Sequence, residues 1–300
     1  MASLKMISVE EELIRNSELK KSDLEMLKDW HKKQPHLPPM SDSELVLFLH
    51  NNYYRMEPTK ITIDTFFTVR THVPEFFSRR DPIGSKELRE IMKVVCCMPL
   101  PSATPEGYTV IFTRLVDPEP SRYVFADAVK LMFMAMELCL YTKGTQPGYI
   151  MVIDMEGTVL GHLARVSPMA LKKFLFYLQE AIPIRLKSIH YLNTVSFVDV
   201  FLNMAKPFMK KELMDMLFFH SSLNLVSKQF PIDLLPNEEG GKAGSWKDLW
   251  AAQIKNMENH RGWFQSEEAR KVNEAVRPGK FKNATDIFGV EGSFKKLDID

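Results

Sequence analysis

The stretch Gly148-Tyr-Ile-Met-Val-Ile-Asp-Met-Glu-Gly157 and, downstream, Ser188-Ile-His-Tyr-Leu-Asn193 decide how this chain folds. Each holds a short, nearly unbroken apolar run of strand length, and a segment with helical spacing, Pro168 to Ala181, lies between them. Unbroken apolar runs mark strands covered on both faces, so the pattern predicts a βαβ unit in a buried parallel sheet. The second strand leads into Phe197 to Met216, a segment too apolar for an ordinary surface helix. A covered sheet beside such a helix suggests a container for something apolar.

Outward from that unit, further elements follow from local signals. Tyr108 to Leu115 and Leu217 to His220 read as strands, and Tyr123 to Tyr141 as a long apolar helix. Residues 1 to about 95 read as all helix. Ser22 and Ser41 are placed as N-caps, each with a Glu three residues on, Glu25 and Glu44. A third helix follows Pro58, a loop spans Pro74 to Pro82, and a short helix, Ser85 to Val95, closes the region. The Pro-rich run from Pro99 to Pro105 reads as a linker. A short helix is expected at Leu223 to Lys228, and a final one capped by Ser245. The tail beyond about Gly262 is expected only to wrap the surface. The domains are therefore drawn at 1–98 (helical), 99–260 (α/β) and 261–300 (tail).

Composition narrows the function classes. Lys plus Arg number 39 against 38 Asp plus Glu, so no global basic field recruits nucleic acid. The 20 Phe and 18 Met suit irregular, deformable apolar surfaces. The three cysteines, Cys96, Cys97 and Cys139, form an odd set with an adjacent pair, which fits reduced thiols. No signal core and no apolar window of spanning length occurs. The expectation is a cytoplasmic protein that meets membranes peripherally, leaving the sequon at Asn283 unglycosylated.

Neither G-x-x-x-x-G-K-[ST] nor G-x-G-x-x-G nor G-x-S-x-G is present, and the eight His show no metal spacing. No cofactor or metal is expected. Asp154 and Glu156 are paired carboxylates at a strand end, where α/β sites sit. They serve either acid–base chemistry or the hydrogen bonding of the turn at Gly157. His190 is either a satisfied core histidine or a catalytic one.

Wound as a helix, Phe197, Phe201, Met204 and Phe208 form one apolar stripe of the greasy segment, and Val198, Leu202, Met209 and Leu213 a second. Either the whole surface packs inward, or one stripe faces the core and the other an apolar guest. Pro207 should kink or break the segment, as a moving lid requires. Lys172, Lys173, Arg185, Lys187, Lys206, Lys210 and Lys211 are either a solvated face or a patch suited to an anionic membrane.

Taken in order, several motifs resemble the CRAL-TRIO family of lipid-binding proteins, in its tocopherol-transfer and retinaldehyde-binding branch. They run from Gln34-Pro-His-Leu-Pro-Pro39 through Pro74-Glu-Phe-Phe77 with Arg80-Asp-Pro82, and Pro99-Leu-Pro101 with Glu106-Gly-Tyr108. Asp154-Met-Glu-Gly157 with Gly161-His162, Ile189-His190 with Asn193, Lys206-Pro-Phe208 and Leu235-Pro-Asn-Glu-Glu-Gly-Gly241 complete the set. The resemblance implies a helical N-terminal domain, then an α/β lipid-binding domain with a helical gate, here Ser196 to Met216, over an apolar pocket. It implies a pocket lined by Leu131, Ala135, Ile153, Val166, Phe174, Tyr177, Leu178, Ile182, Ile184, Ile189, Phe201 and Met204, to which the first stripe adds Phe197 and Phe208.

The family's phosphatidylinositol-transfer branch carries a Glu where this chain has Ile184 and a Lys where it has Asp215, which argues against an inositol headgroup in the pocket. Arg185 and Lys187 keep the basic character that the tocopherol branch uses toward phosphoinositide, with Lys206, Lys210 and Lys211 near the gate. However, the family's Leu-Arg-Ala-Arg is Leu49-His-Asn-Asn52 here, and a later basic gate position is Met216. The expected function is that of a non-enzymatic carrier, moving a small hydrophobic lipid (tocopherol, a retinoid, a carotenoid or similar) between membranes. The alternative is a phosphoinositide-recruited membrane regulator without net transport.

Overall fold

The computed structural model describes residues 4–222, 226 and 230–289. Six helices come first: α1 (Val9–Arg15), α2 (Lys21–Lys32), α3 (Asp42–Asn51), α4 (Met56–His72), α5 (Pro74–Phe77) and α6 (Lys86–Ile91). Ser41 caps α3 as its sequence demands: its Oγ accepts from the Glu44 N–H, and the Glu44 carboxylate accepts from the Ser41 N–H at 2.7 Å. Ser22 does not cap α2. The Lys20 carbonyl already accepts from Asp23 and Leu24, so the helix starts at Lys21 and Ser22 lies inside it.

Five strands form one sheet in the order β1 (Val95–Pro99), β2 (Thr109–Leu115), β3 (Tyr149–Asp154), β4 (Leu186–Leu192) and β5 (Leu217–Phe219). β1 runs antiparallel to β2, and the other pairs are parallel. β1 overturns two readings, because the preceding helix stops at Ile91 and Val95–Pro99 is neither helix nor linker. Val95, Cys96, Cys97 and Met98 are buried against the sheet, and the terminal Pro99 is tolerated because β1 is an edge.

Parallel strands taken in sequence order put right-handed crossovers on one face. That face carries α7 (Phe125–Lys143), the short α8 (Leu160–Leu163), α9 (Pro168–Glu180), and α10 (Val198–Ala205) with α11 (Lys211–Met214). The opposite face, with Val110, Phe112, Ile150 and Val152, packs in a second cluster with Phe230, Leu235 and Trp250 of α12 (Trp246–Asn259). The expected helix at 223–228 falls largely outside the described residues.

Beyond α12 the chain does not merely wrap the surface. α13 (Arg261–Ala269) and α14 (Ala284–Phe288) bury Phe264 and Phe288, and Val272 is buried between them. Arg277 pairs with Asp64 of α4 at 2.5 Å, Arg270 pairs with Glu44, and Lys172 Nζ donates to the Phe288 carbonyl at 2.7 Å. The alternating polar and apolar residues of this segment are thus anchors to two parts of the body.

The helical region is joined to the α/β region through charge as well as hydrocarbon. Arg70 of α4 and Arg80 each donate to a different carboxylate oxygen of Glu137 on α7 at 2.6 Å, and the Tyr177 hydroxyl donates to the same group at 3.2 Å. Phe66 and Phe77 cover the Arg70 guanidinium at 4.8 and 5.0 Å.

Candidate functional site

Between the sheet and α7, α9, α10 and α11 lies a cavity of about 250 Å³. The pleat supplies its floor: Met151 and Ile153 of β3 and Ile189 and Tyr191 of β4 point into it, as period-two alternation requires. His190, between the last two, points to the other face. There its Nδ1 lies 2.9 Å from His220 Nε2 and its Nε2 2.9 Å from Ser188 Oγ. Burial, with His220 adding, pushes His190 down to about 4, so it is a neutral, satisfied core residue.

The walls are apolar. Phe125, Ala128, Val129 and Met132 recur at helical spacing along α7, and Phe174, Leu175 and Leu178 do so on α9. Phe197, Val198, Phe201, Ala205, Met209 and Leu213 close the space from the segment expected to be a lid. Pro207 breaks that segment: α10 ends at Ala205, a 3₁₀ turn spans Lys206–Phe208, and α11 starts at Lys211. Both expected stripes contribute to the lining: Val198 stands beside Phe197 and Phe201 before the break, and Met209 and Leu213 join them after it. Val200 is 53% exposed on the outer side. At the break, Gln179 of α9 holds the segment from both sides. Its amide N–H groups donate to the Leu175 carbonyl at 2.9 Å and the Phe208 carbonyl at 3.0 Å, and its oxygen accepts from the Lys210 N–H at 2.7 Å.

Of the residues expected to line a pocket, Ile153, Val166, Phe174, Leu178, Ile189, Phe197 and Phe201 meet at this cavity. The other seven lie elsewhere. Leu131 faces the second core cluster with Val152 and Trp250, whereas Ala135, Ile182 and Ile184 are buried in the main core. Tyr177 hydrogen-bonds Glu137, and Met204 and Phe208 are half-buried against the same main core. The sequence did hold signals for the residues passed over: strand alternation implies Tyr191 beside Ile189, and i, i+3, i+4, i+7 spacing from Phe125 implies the α7 wall.

The cavity also touches a polar cluster at the strand ends. Asp154 Oδ1 accepts from Asn193 Nδ2 at 2.8 Å and from the Glu156 N–H at 3.0 Å. Asn193 reaches back from a left-handed conformation (φ 49°), which Asn tolerates better than most residues. Arg114 donates to Glu156 at 2.8 Å and to Glu239, lies 3.5 Å from Asp154 Oδ2, and stacks on Trp246. The Asp154–Glu156 pair is thus engaged in holding the turn and the strand ends together. Burial pushes the Glu239 carboxyl up to about 7 against the pull of Arg114.

The basic residues fall on two sets of elements. Arg185 donates to the His50 carbonyl at 2.9 Å and sits 4.1 Å from the Tyr53 ring, while Lys187 lies over Tyr108. Burial, reinforced by Arg185 and Lys187, pushes His50 down to about 3. Lys206, Lys210 and Lys211 are exposed along the α10–α11 segment, the second paired with Glu180 and the third 4.0 Å from Asp215. Among the described residues no group of His, Cys, Asp and Glu could hold a metal ion, and no helix is long and apolar enough to cross a membrane. The three thiols are free and buried, and burial raises the pKa of each.

Residues 93–241 match the family model of the CRAL/TRIO domain, and residues 16–87 match that of a Pinta-like UBA domain. Alpha-tocopherol transfer protein-like of Mus musculus is 27% identical over 238 residues, covering 78% of this chain and 68% of the relative. Clavesin-1 of Xenopus laevis is 24% identical over 160 residues, covering 51% of this chain and 48% of the relative. Among solved structures, the crystal structure of Sfh5 aligns with a TM-score of 0.49 at 11% identity, covering 83% of this chain and 98% of that chain.

Proposed function

Because the chain belongs to the CRAL-TRIO family, we propose that it is a carrier that takes a small apolar lipid into the cavity and delivers it to a second membrane. One observation carries this reading: an apolar cavity of about 250 Å³ is closed by a proline-broken segment that is apolar on its inner side and partly apolar on its outer side. Such a segment can turn its apolar inner side toward acyl chains while its lysines stay at the polar membrane surface. A relative named for tocopherol transfer supports the same direction.

Burial supplies the affinity. A guest hiding ~400 Å² at ~25 cal/mol/Å² gains roughly 10 kcal/mol gross. Lost translation and ordering reduce that substantially, which suits both holding and exchange. Binding rather than catalysis is favoured because the carboxylates nearest the cavity are tied to Arg114, Asn193 and backbone N–H groups. The exposed lysines of the lid support a transient contact with an anionic membrane surface. Arg185 has less to offer a headgroup, since it already donates to the His50 carbonyl and faces Tyr53.

The test is titration of delipidated protein with fluorescent tocopherol and retinoid analogues, followed by donor-to-acceptor vesicle transfer. Saturable binding and protein-dependent transfer are expected. Absence of saturable binding by any apolar lipid ends the proposal, and vesicle recruitment without transfer replaces the carrier with a membrane-bound regulator.

A further inference from the structure

The cavity has a polar corner as well as apolar walls. Thr158 and His162, which follow β3, and Arg114 and Asp154 at the ends of β2 and β3 line it there. His162 is 4% exposed, and the tautomer of its imidazole follows from its partner. The Val159 backbone N–H donates to His162 Nδ1 at 3.1 Å, so Nδ1 bears the lone pair and the neutral ring carries its proton on Nε2. The Tyr123 ring meets the imidazole edge-on, with centroids 5.5 Å apart, and fixes its plane. Burial depresses the basicity of His162, which keeps the ring neutral. Among the described residues, Nε2 has no hydrogen-bond partner. A buried donor without an acceptor is destabilising, and a protein retains one chiefly where something else completes it.

We propose that His162 is the polar anchor of the cavity, its Nε2–H donating to the oxygen of a neutral lipid such as an alcohol, phenol, ketone or aldehyde, whose hydrocarbon lies under the lid. The charges of the corner set the class. Arg114, the cation of this corner, is already shared among Asp154, Glu156 and Glu239. Asp154 Oδ2, fully buried, accepts no hydrogen bond there. A lipid carboxylate or phosphate would enter a site whose net charge is negative, whereas a neutral oxygen needs only the donor that His162 supplies.

This inference rests on the carrier reading, and the experiment separates the two. Full-length delipidated protein holding a fluorescent apolar probe is competed with dodecanol, dodecane and dodecanoate delivered from cyclodextrin, in wild type, His162→Phe and His162→Gln. The wild type should bind dodecanol about ten-fold more tightly than dodecane, the equivalent of one buried hydrogen bond. His162→Phe should abolish that ratio while leaving dodecane binding intact, and His162→Gln, which keeps a donor, should restore most of it. Independently of any variant, the His162 Nε2 and its proton should shift in NMR spectra on adding dodecanol and not dodecane. An equal affinity for dodecanol and dodecane in the wild type, or a ratio that survives His162→Phe, overturns the anchor while the carrier stands. Dodecanoate bound as tightly as dodecanol overturns the neutral class. No displacement by any of the three overturns the carrier reading itself, and the anchor with it.

Discussion

Replacing Glu137 by Gln should be among the most damaging single changes available to this protein. Glu137 is 1% exposed and neutralises two guanidinium groups, Arg70 and Arg80, each at 2.6 Å. Glu267 stands 3.8 Å from Arg70 and offers that cation partial relief, but Arg80, fully buried, has no second carboxylate within ion-pair distance among the described residues. Breaking a buried pair from one side costs ~3–5 kcal/mol, because a charge is left without compensation. At ~2 °C per kcal/mol for a chain of this size, the melting temperature should fall by roughly 6–10 °C. Urea and thermal denaturation followed by circular dichroism would measure it. Replacing all three members, Arg70, Arg80 and Glu137, by Met should recover most of the loss, since apolar substitutes for a buried ion cluster are often neutral or stabilising. The carboxyl also links the cluster to pH. Burial pushes it up, but Arg70 and Arg80 outweigh burial and hold it below the ordinary glutamate value. A depressed carboxylate contributes its stability above the unfolded-state pKa and loses it as pH falls through the folded one. The difference between wild type and Glu137→Gln should therefore shrink only in acid. A Glu137→Gln protein within 1 kcal/mol of wild type at neutral pH, or a triple Met variant no better than the single change, would refute this account.

Three further outcomes are expected. Gln179→Leu removes the contacts that hold the lid at its break, so vesicle-to-vesicle transfer of a fluorescent lipid should accelerate by roughly ten-fold, the worth of one to two hydrogen bonds; an unchanged rate would show that the lid is held elsewhere. Val200→Asp charges the exposed outer side of α10 and should weaken cosedimentation with anionic vesicles by about ten-fold, the ~1.5 kcal/mol of one buried valine, with little change in the melting temperature. Glu239, pushed up to about 7 by burial, contributes stability that is full below the unfolded glutamate range and fades as pH rises through 7. Glu239→Gln should flatten the urea midpoint between pH 5 and 8, and parallel curves for the two proteins would contradict the assignment.

What the sequence made legible follows from how local each signal is. The runs at Tyr149–Asp154 and Leu186–Leu192 announce buried strands because each residue's own hydrophobicity carries the message. The break at Pro207 is equally local, since the ring removes a donor wherever it stands. β1 was hidden because Val94 to Met98 lacks alternation and follows a true helix, and only pairing with β2 makes it a strand. The C-terminal segment looked peripheral because its buried side chains are few and widely spaced. Arg270 and Arg277 acquire their meaning from Glu44 and Asp64, more than two hundred residues away in sequence. At the cavity, the β3 and β4 positions were readable from the pleat, whereas the face that α7 presents depends on a helix rotation that packing alone fixes. His162 stood in a recognisable motif, yet its unmet Nε2 emerges only once Val159 has claimed Nδ1.

Burial is distributed unevenly around the cavity. α7 buries twelve of its nineteen side chains and carries Glu137, so any displacement of that wall would strain the ion cluster and the core together. The α10–α11 segment, the proposed lid, is held differently: only Ala205 in α10 and Leu213 in α11 are buried, and the remaining apolar side chains are half-covered or exposed. Hydrophobic stabilisation scales with area removed from water, so half-covered side chains hold the lid weakly and gain the rest of their burial from any apolar neighbour. Its backbone is already interrupted at Pro207, where opening requires no further loss of helical hydrogen bonds. If the proposed carrier takes a guest larger than 250 Å³, the Pro207-broken segment and the flexible Met132, Met155 and Met209 of the lining should give way before α7 and the sheet do. On the proposed carrier reading, the walls would set which lipid fits and the Pro207-broken segment how fast it leaves, so changes at Glu137 and at Gln179 should act on stability and on transfer rate independently.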